Sequence, residues 1–120
     1  MDWKTLLVVG GILAAFIILK RVSFLSAEKA RELLRQGAIV VDVRNPGEFN
    51  SGPLPQARNI PLGELSSELP RRIPDRRQVL LLHCLSGGRS GIAQRQLRKL
   101  GYSNAYNLGS FARAKALANR

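Results

Sequence analysis

The chain has a single cysteine, Cys84, in a segment whose composition favours reactivity. The segment HCLSGGRSG (residues 83–91) surrounds that thiol with three glycines, two serines and one arginine. An apolar stretch, QVLLLHC, leads into it, and GIAQRQLRKLG follows it with helical spacing. Between a strand and a helix, the amide groups of residues 85–89 can curve into a nest, and the helix N-terminus adds partial positive charge. This field favours a thiolate, so we expect Cys84 to be more acidic and more nucleophilic than a free cysteine.

Polar side chains around the thiol complete the predicted chemistry. Arg89 offers a fork of donors for an oxyanion substrate or leaving group. His83 ends the preceding strand, where a structural or orienting role is favoured over that of a general base. A buried inert thiol is the alternative for Cys84, but a core cysteine has no need of the LSGGRSG that follows it. Since the chain has one histidine and one cysteine, we expect no metal site.

Two apolar runs of strand length define the predicted sheet: AIVVDV (residues 38–43) and the QVLLLH that leads into the cysteine. Continuous apolar strands that alternate with helices are typical of an α/β protein whose parallel sheet is covered on both faces. In such a sheet the ligand site lies beyond the carboxyl ends of the strands. Asp42 and Arg44 lie at the end of the first of these strands, and His83 and Cys84 lie at the end of the second. The pattern therefore predicts that these four residues share one edge of the sheet.

Capping patterns indicate where the helices begin and end. Asn45 is a good N-cap for a helix that starts at NPGE, with Pro46 in its first turn and Glu48 reaching back to the cap. The stretch GELSSEL predicts one or two helical turns that end at Pro70. Near the C-terminus, NAYNL predicts a last strand and FARAKALANR a short helix. One domain accounts for a soluble part of this length.

The N-terminal segment is predicted to lie outside the core. Its run LLVVGGILAAFIIL (residues 6–19) contains no polar side chain, and with its flanks it comes near the roughly 20 residues that a membrane span needs. We therefore expect residues 1–22 to form an uncleaved transmembrane helix; a cleaved signal peptide and a buried core helix are the alternatives. Lys20 and Arg21 follow the run, so the positive-inside rule places the remaining chain, residues 23–120, on the cytoplasmic side of the inner or plasma membrane.

The charge of the chain favours anionic partners. The net charge is +11, and no acidic residue follows Asp75. A basic half-domain attracts nucleic acid, anionic lipid or small oxyanions, and a solvated basic surface is the alternative. Nucleic acid is not the partner that we expect here. The lone thiol fits a reducing compartment.

Three segments together resemble a known family. VDVRNPGEF (residues 41–49), GPLPQARNIPL (residues 52–62) and HCLSGGRS (residues 83–90) are similar to the motifs of single-domain rhodaneses, which are sulfurtransferases. The last segment has the family's C-x-x-G-x-R-S form. The resemblance covers most of the chain after the N-terminal run and implies a five-stranded parallel sheet flanked by helices.

The resemblance also implies a reaction and a site. Cys84 would take the outer sulfur of a donor such as thiosulfate or a protein persulfide, become a persulfide, and pass that sulfur to a thiol acceptor without a cofactor. The residues implied in holding the persulfide are Leu85, Ser86, Gly87, Gly88, Arg89 and Ser90, and those implied in supporting the loop are Asp42, Arg44 and His83.

Two other functions remain open at the level of sequence. Cysteine-based phosphatases share the fold family, but four residues separate Cys84 from Arg89, and a phosphate-cradling loop needs one more to make room for a tetrahedral group. The second is a membrane-tethered module that binds a partner and has only weak activity. The presence of Cys84 favours chemistry over binding alone.

Overall fold

The computed structural model describes residues 2–22 and 24–118 of the chain. Six α-helices and four strands alternate along these residues, with a single 3-10 turn at Leu62–Glu64. The strands are β1 (Ile39–Asp42), β2 (Ala57–Asn59), β3 (Leu80–His83) and β4 (Ala105–Gly109). The helices are α1 (Trp3–Val22), α2 (Ala27–Arg35), α3 (Pro46–Ser51), α4 (Leu65–Arg72), α5 (Gly88–Lys99) and α6 (Phe111–Ala118).

The strands form one parallel sheet in the order β2-β1-β3-β4. Side chains alternate between its faces, so Val41 and Leu82 pack with α4 and α5, whereas Val40 and Leu81 pack with α2 and α6. Burial on both faces explains why β1 and β3 read as continuous apolar runs, and it confirms the predicted α/β class with a parallel sheet.

The sheet has four strands among the described residues, so the predicted fifth strand is wrong. In the described part of the segment before α2, residues 24–26, the amide of Leu25 donates to the carbonyl of Asn107 in β4 at 3.0 Å. The next bond of a parallel ladder would join the amide of Gly109 to the carbonyl of Leu25. Instead, the amide of Gly109 donates to the Asn107 side chain, and the carbonyl of Leu25 accepts from Arg113. Side chains have replaced the backbone pairing that a fifth strand needs.

The N-terminal prediction is not supported. The apolar run does form a helix, α1, and its side chains are exposed where they are described. None of the described helices is long and apolar enough to cross a membrane. The cytoplasmic location was inferred in part from that anchor; the fold does not test it, and it stays a prediction.

One helix is longer than its sequence predicts. α4 continues through Pro70 to Arg72. Leu65, Leu69 and Ile73 lie at helical spacing and are all buried. Their packing stabilises the helical turn around Pro70, which the proline by itself disfavours. The amide of Ile73 still reaches the carbonyl of Leu69 at 2.7 Å.

Candidate active site

Cys84 follows β3 at the carboxyl edge of the sheet, and its side chain is fully buried. Its Sγ accepts a hydrogen bond from the Gly87 amide at 3.0 Å, and the Ser90 hydroxyl lies 3.5 Å away. Burial alone raises the pKa of the thiol, but hydrogen bonds from the Ser90 hydroxyl and from the amides of Ser90, Gly87 and Ser86 outweigh it. The pKa of Cys84 therefore lies below the ordinary thiol value, as the sequence predicted.

The loop after Cys84 is fastened to the chain that follows β4. The Cys84 amide donates to the carbonyl of Gly109 at 3.3 Å, and the Phe111 amide donates to the carbonyl of Leu85 at 3.2 Å. Ser86 pairs with Ser110 in an isolated bridge. These bonds hold residues 84–86 against the end of the sheet, so the amides that follow have a fixed direction.

Gly87 is the residue that lets the loop turn toward the sulfur. Its φ is +97°, a left-handed conformation that side chains disfavour, and a Cβ there would lie 2.9 Å from the ring of Phe24. Gly87 is also the N-cap of α5, which begins at Gly88. The helix N-terminus therefore points its amides at the same place as the loop, which stabilises negative charge on the sulfur.

Asn107 supports the loop from β4, and sequence analysis missed it. Its side chain is almost fully buried, its Oδ1 accepts from the Ser90 hydroxyl at 2.7 Å, and its Nδ2 donates to the Gly87 carbonyl at 3.2 Å. The Ser90 hydroxyl has one hydrogen, for which Asn107 Oδ1 at 2.7 Å, the Gly87 carbonyl at 3.1 Å and Cys84 Sγ at 3.5 Å compete as acceptors. A signal was present, since an asparagine in the middle of a buried strand is unusual.

Arg89 and Glu48 form an ion pair across the site. The two terminal nitrogens of Arg89 donate to Glu48 Oε1 at 2.7 Å and to Oε2 at 2.9 Å. Glu48 also completes the predicted capping box of α3, with Asn45 as the N-cap. The sequence indicated that cap but not the partnership with Arg89, since no local pattern joins residues that are 41 positions apart.

Asp42 and Arg44 form a buried pair below the loop. Arg44 Nη2 lies 2.8 Å from Asp42 Oδ2 and 2.9 Å from the carbonyl of Gly52, and its guanidinium sits 4.6 Å from the ring centroid of Phe111. The chain of contacts ties β1 to the connection after α3 and to the start of α6. A buried charge left without its partner costs about 3–5 kcal/mol, so the two residues hold each other in place at the end of β1, and their support of the loop stays a prediction.

His83 is buried beside Asp42, on the sheet face that α6 covers. Its Nε2 lies 3.8 Å from Asp42 Oδ2, and its ring centroid lies 6.0 Å from that of Phe111. Burial lowers the pKa of His83, and the Asp42 carboxylate offsets this only in part, so the ring is neutral at pH 7. Among residues 2–22 and 24–118, no group of three or more His, Cys, Asp or Glu side chains is arranged to hold a metal ion.

We expect Ser90→Ala to raise the pKa of Cys84. The change removes a hydrogen-bond donor that favours the thiolate, so alkylation of Cys84 should require a higher pH to reach half of its maximal rate. The pH dependence of iodoacetamide labelling measures this. Ser86→Ala is the control, because the exposed hydroxyl of Ser86 is removed while its amide remains. An unchanged pH profile in the Ser90 variant would show that the amides alone set the acidity.

Known proteins that are similar in sequence to this chain point to one family. The Rhodanese-like domain family matches residues 26–116. Protein YqhL of Bacillus subtilis, which is uncharacterised, is 37% identical over 105 residues, covering 81% of this chain and 82% of that protein. The thiosulfate sulfurtransferase PspE of Escherichia coli is 32% identical over 69 residues, covering 58% of this chain and 66% of that protein.

Solved structures show the same fold. The human single-domain sulfurtransferase TSTD1 superposes with a TM-score of 0.67 at 31% identity, over 82% of this chain and 97% of that one. An E. coli rhodanese with bound anions gives a TM-score of 0.62 at 28% identity, over 64% of this chain and 91% of that one. Since the family model matches residues 26–116 and the parallel sheet agrees with it, the chain belongs to the family of rhodanese-like domains.

Proposed function

We propose that the protein is a sulfurtransferase that carries sulfane sulfur on Cys84. The observation that supports this most directly is the buried thiol whose pKa is lowered by amide and hydroxyl donors. Those donors suit a sulfur that bears negative charge as the attacking thiolate and again as the leaving thiolate. The similarity to PspE and TSTD1, a thiosulfate sulfurtransferase and a single-domain sulfurtransferase, agrees with this chemistry.

The reaction has two displacements. The Cys84 thiolate attacks the outer sulfur of thiosulfate, the S–S bond of the donor breaks, and sulfite leaves with the bonding electron pair. A thiolate acceptor then attacks the outer sulfur of the Cys84 persulfide, and the Cys84 thiolate leaves. The amide of Gly87 and the hydroxyl of Ser90 stabilise the charge that returns to Cys84 in the second step. A persulfide donor enters by the same displacement, with a thiolate as its leaving group.

The burial of Cys84 restricts which donors can react. The side chain has no exposed surface, whereas Leu85 and Ser86 beside it are exposed. A donor must therefore present a terminal sulfur small enough to pass between loop side chains. Adding one sulfur extends the side chain by an S–S bond of about 2 Å, which brings the reactive atom closer to the surface for the acceptor.

We expect the full chain to gain one sulfur atom when it is treated with thiosulfate or a small persulfide. Intact-mass spectrometry should show an increase of about 32 Da, which a thiol acceptor then removes. If no sulfane donor produces this gain, the sulfurtransferase proposal is wrong, and a partner-binding role for the domain becomes the better explanation.

A further inference from the structure

The ion pair between Glu48 and Arg89 changes what Arg89 can offer to a substrate. A guanidinium beside a reactive thiol is a natural receptor for an oxyanion. Here both terminal nitrogens already donate to a carboxylate, at 2.7 and 2.9 Å, and the two side chains are 27% and 36% exposed for Glu48 and Arg89. An anionic donor therefore approaches a guanidinium whose charge is already balanced.

Glu48 is held in this position from its own helix. The Asn45 amide donates to Glu48 Oε1 at 3.3 Å, and the Glu48 amide donates to Asn45 Oδ1 at 2.8 Å. Hydrogen bonding from Arg89 lowers the pKa of Glu48 to about 2, so the carboxylate stays charged at any pH near neutrality. Swinging Glu48 away from Arg89 would break the capping box as well as the ion pair.

Arg89 lies between two loop residues whose donors reach Sγ, the Gly87 amide at 3.0 Å and the Ser90 hydroxyl at 3.5 Å, so the ion pair is close to the sulfur. Hydrogen bonding to Glu48 raises the pKa of Arg89 most strongly, and the negative charge of Cys84 raises it further. Because Glu48 is bonded to Arg89 at 2.7 and 2.9 Å, its negative charge also acts on a donor that approaches Cys84. That charge repels a donor in proportion to the donor's own charge.

We propose that Glu48 is a specificity-determining residue that disfavours doubly charged sulfur donors relative to singly charged ones. This inference rests on the proposed transfer of sulfur through Cys84 and adds the selection among donors to it. A donor that carries one negative charge, such as a persulfide anion or an organic thiosulfonate, meets about half the repulsion that thiosulfate meets.

Two donors of matched chemistry test this. Thiosulfate carries two negative charges and releases sulfite; methanethiosulfonate carries one and releases methanesulfinate. In both cases the Cys84 thiolate attacks the terminal sulfur, the donor S–S bond breaks, and the leaving group takes the electron pair. The rate of sulfur loading onto the full chain is followed by mass spectrometry at varied donor concentration, which separates the half-saturating concentration from the maximal rate.

Glu48→Gln removes the charge and keeps an amide oxygen that can accept from Asn45 and Arg89. We expect the half-saturating concentration to fall about tenfold for thiosulfate and about threefold for methanethiosulfonate, because the electrostatic gain scales with donor charge. Glu48→Ala removes the contacts as well as the charge. In this variant too, the half-saturating concentration should fall about three times more for thiosulfate than for methanethiosulfonate. Glu32→Gln, which disrupts an exposed ion pair with Arg35 on α2, should change neither value.

The outcomes separate this inference from the proposed function. The inference is supported if two conditions hold. The wild-type chain must be loaded with sulfur, and in both Glu48 variants the half-saturating concentration must fall more for thiosulfate than for methanethiosulfonate. If both donors shift equally, or if the half-saturating concentrations rise, Glu48 acts only by positioning Arg89 and the inference is overturned while the proposed function stands. If the wild-type chain is loaded by none of thiosulfate, methanethiosulfonate and a small persulfide, both the inference and the proposed function are overturned.

Discussion

We expect the replacement of Cys84 with serine to abolish sulfur loading, so that the variant keeps its original mass after treatment with thiosulfate. A serine hydroxyl does not ionise near neutral pH and cannot form the S–S bond on which transfer depends. We expect transfer to a thiol acceptor to fall by at least about 10⁴-fold, as is typical when a nucleophile is removed. Cys84 is the only cysteine in the chain, so no other thiol can substitute for it.

The Cys84→Ser variant should remain folded. Its Oγ can accept the hydrogen bonds that the Gly87 amide and the Ser90 hydroxyl direct at Sγ. Urea unfolding should place its free energy of unfolding within about 2 kcal/mol of the wild-type value. Sulfur gained by a well-folded Cys84→Ser variant would contradict the assignment of Cys84 as the carrier.

We expect Gly87→Ala to slow sulfur loading by about 100-fold, which is the typical cost of losing one well-placed donor to a developing negative charge. At φ +97° the new Cβ is strained, and it would lie 2.9 Å from the Phe24 ring. Relief of that strain rotates the backbone, and the Gly87 amide leaves its position 3.0 Å from Sγ. Single-turnover loading with thiosulfate, followed by mass spectrometry, measures the loss.

Gly101→Ala is the matched control for backbone strain. Gly101 has nearly the same φ, +98°, but it lies just after α5, where a Cβ would contact only the Arg76 side chain. Both substitutions should lower the free energy of unfolding by about 1–2 kcal/mol, and only the one at Gly87 should slow loading. Equal loading rates in the two variants would mean that the Gly87 amide has no part in the reaction.

Local sequence patterns determined the fold class and the location of the site. The apolar runs that became β1 and β3 predicted a buried parallel sheet, and the NPGE signature predicted the start of α3. The glycine-rich segment after Cys84 predicted a loop that favours a thiolate, which agrees with the lowered pKa of that residue. Each of these features depends on residues a few positions apart, so it can be inferred from a single sequence.

The tertiary structure decided the features that depend on distant residues. The Gly109 amide and the Leu25 carbonyl bond to the side chains of Asn107 and Arg113 rather than to each other, and the described residues form four strands. Core packing carries α4 past Pro70, where local preference alone would end the helix.

The site itself was completed in the same way. Asn107 reaches Ser90 from another strand, at 2.7 Å. Glu48 meets Arg89 across 41 residues of sequence. A local pattern records only what a segment prefers by itself. Which donor meets which acceptor depends on how the segments pack, because every buried polar group competes for the partners that the whole fold brings within reach.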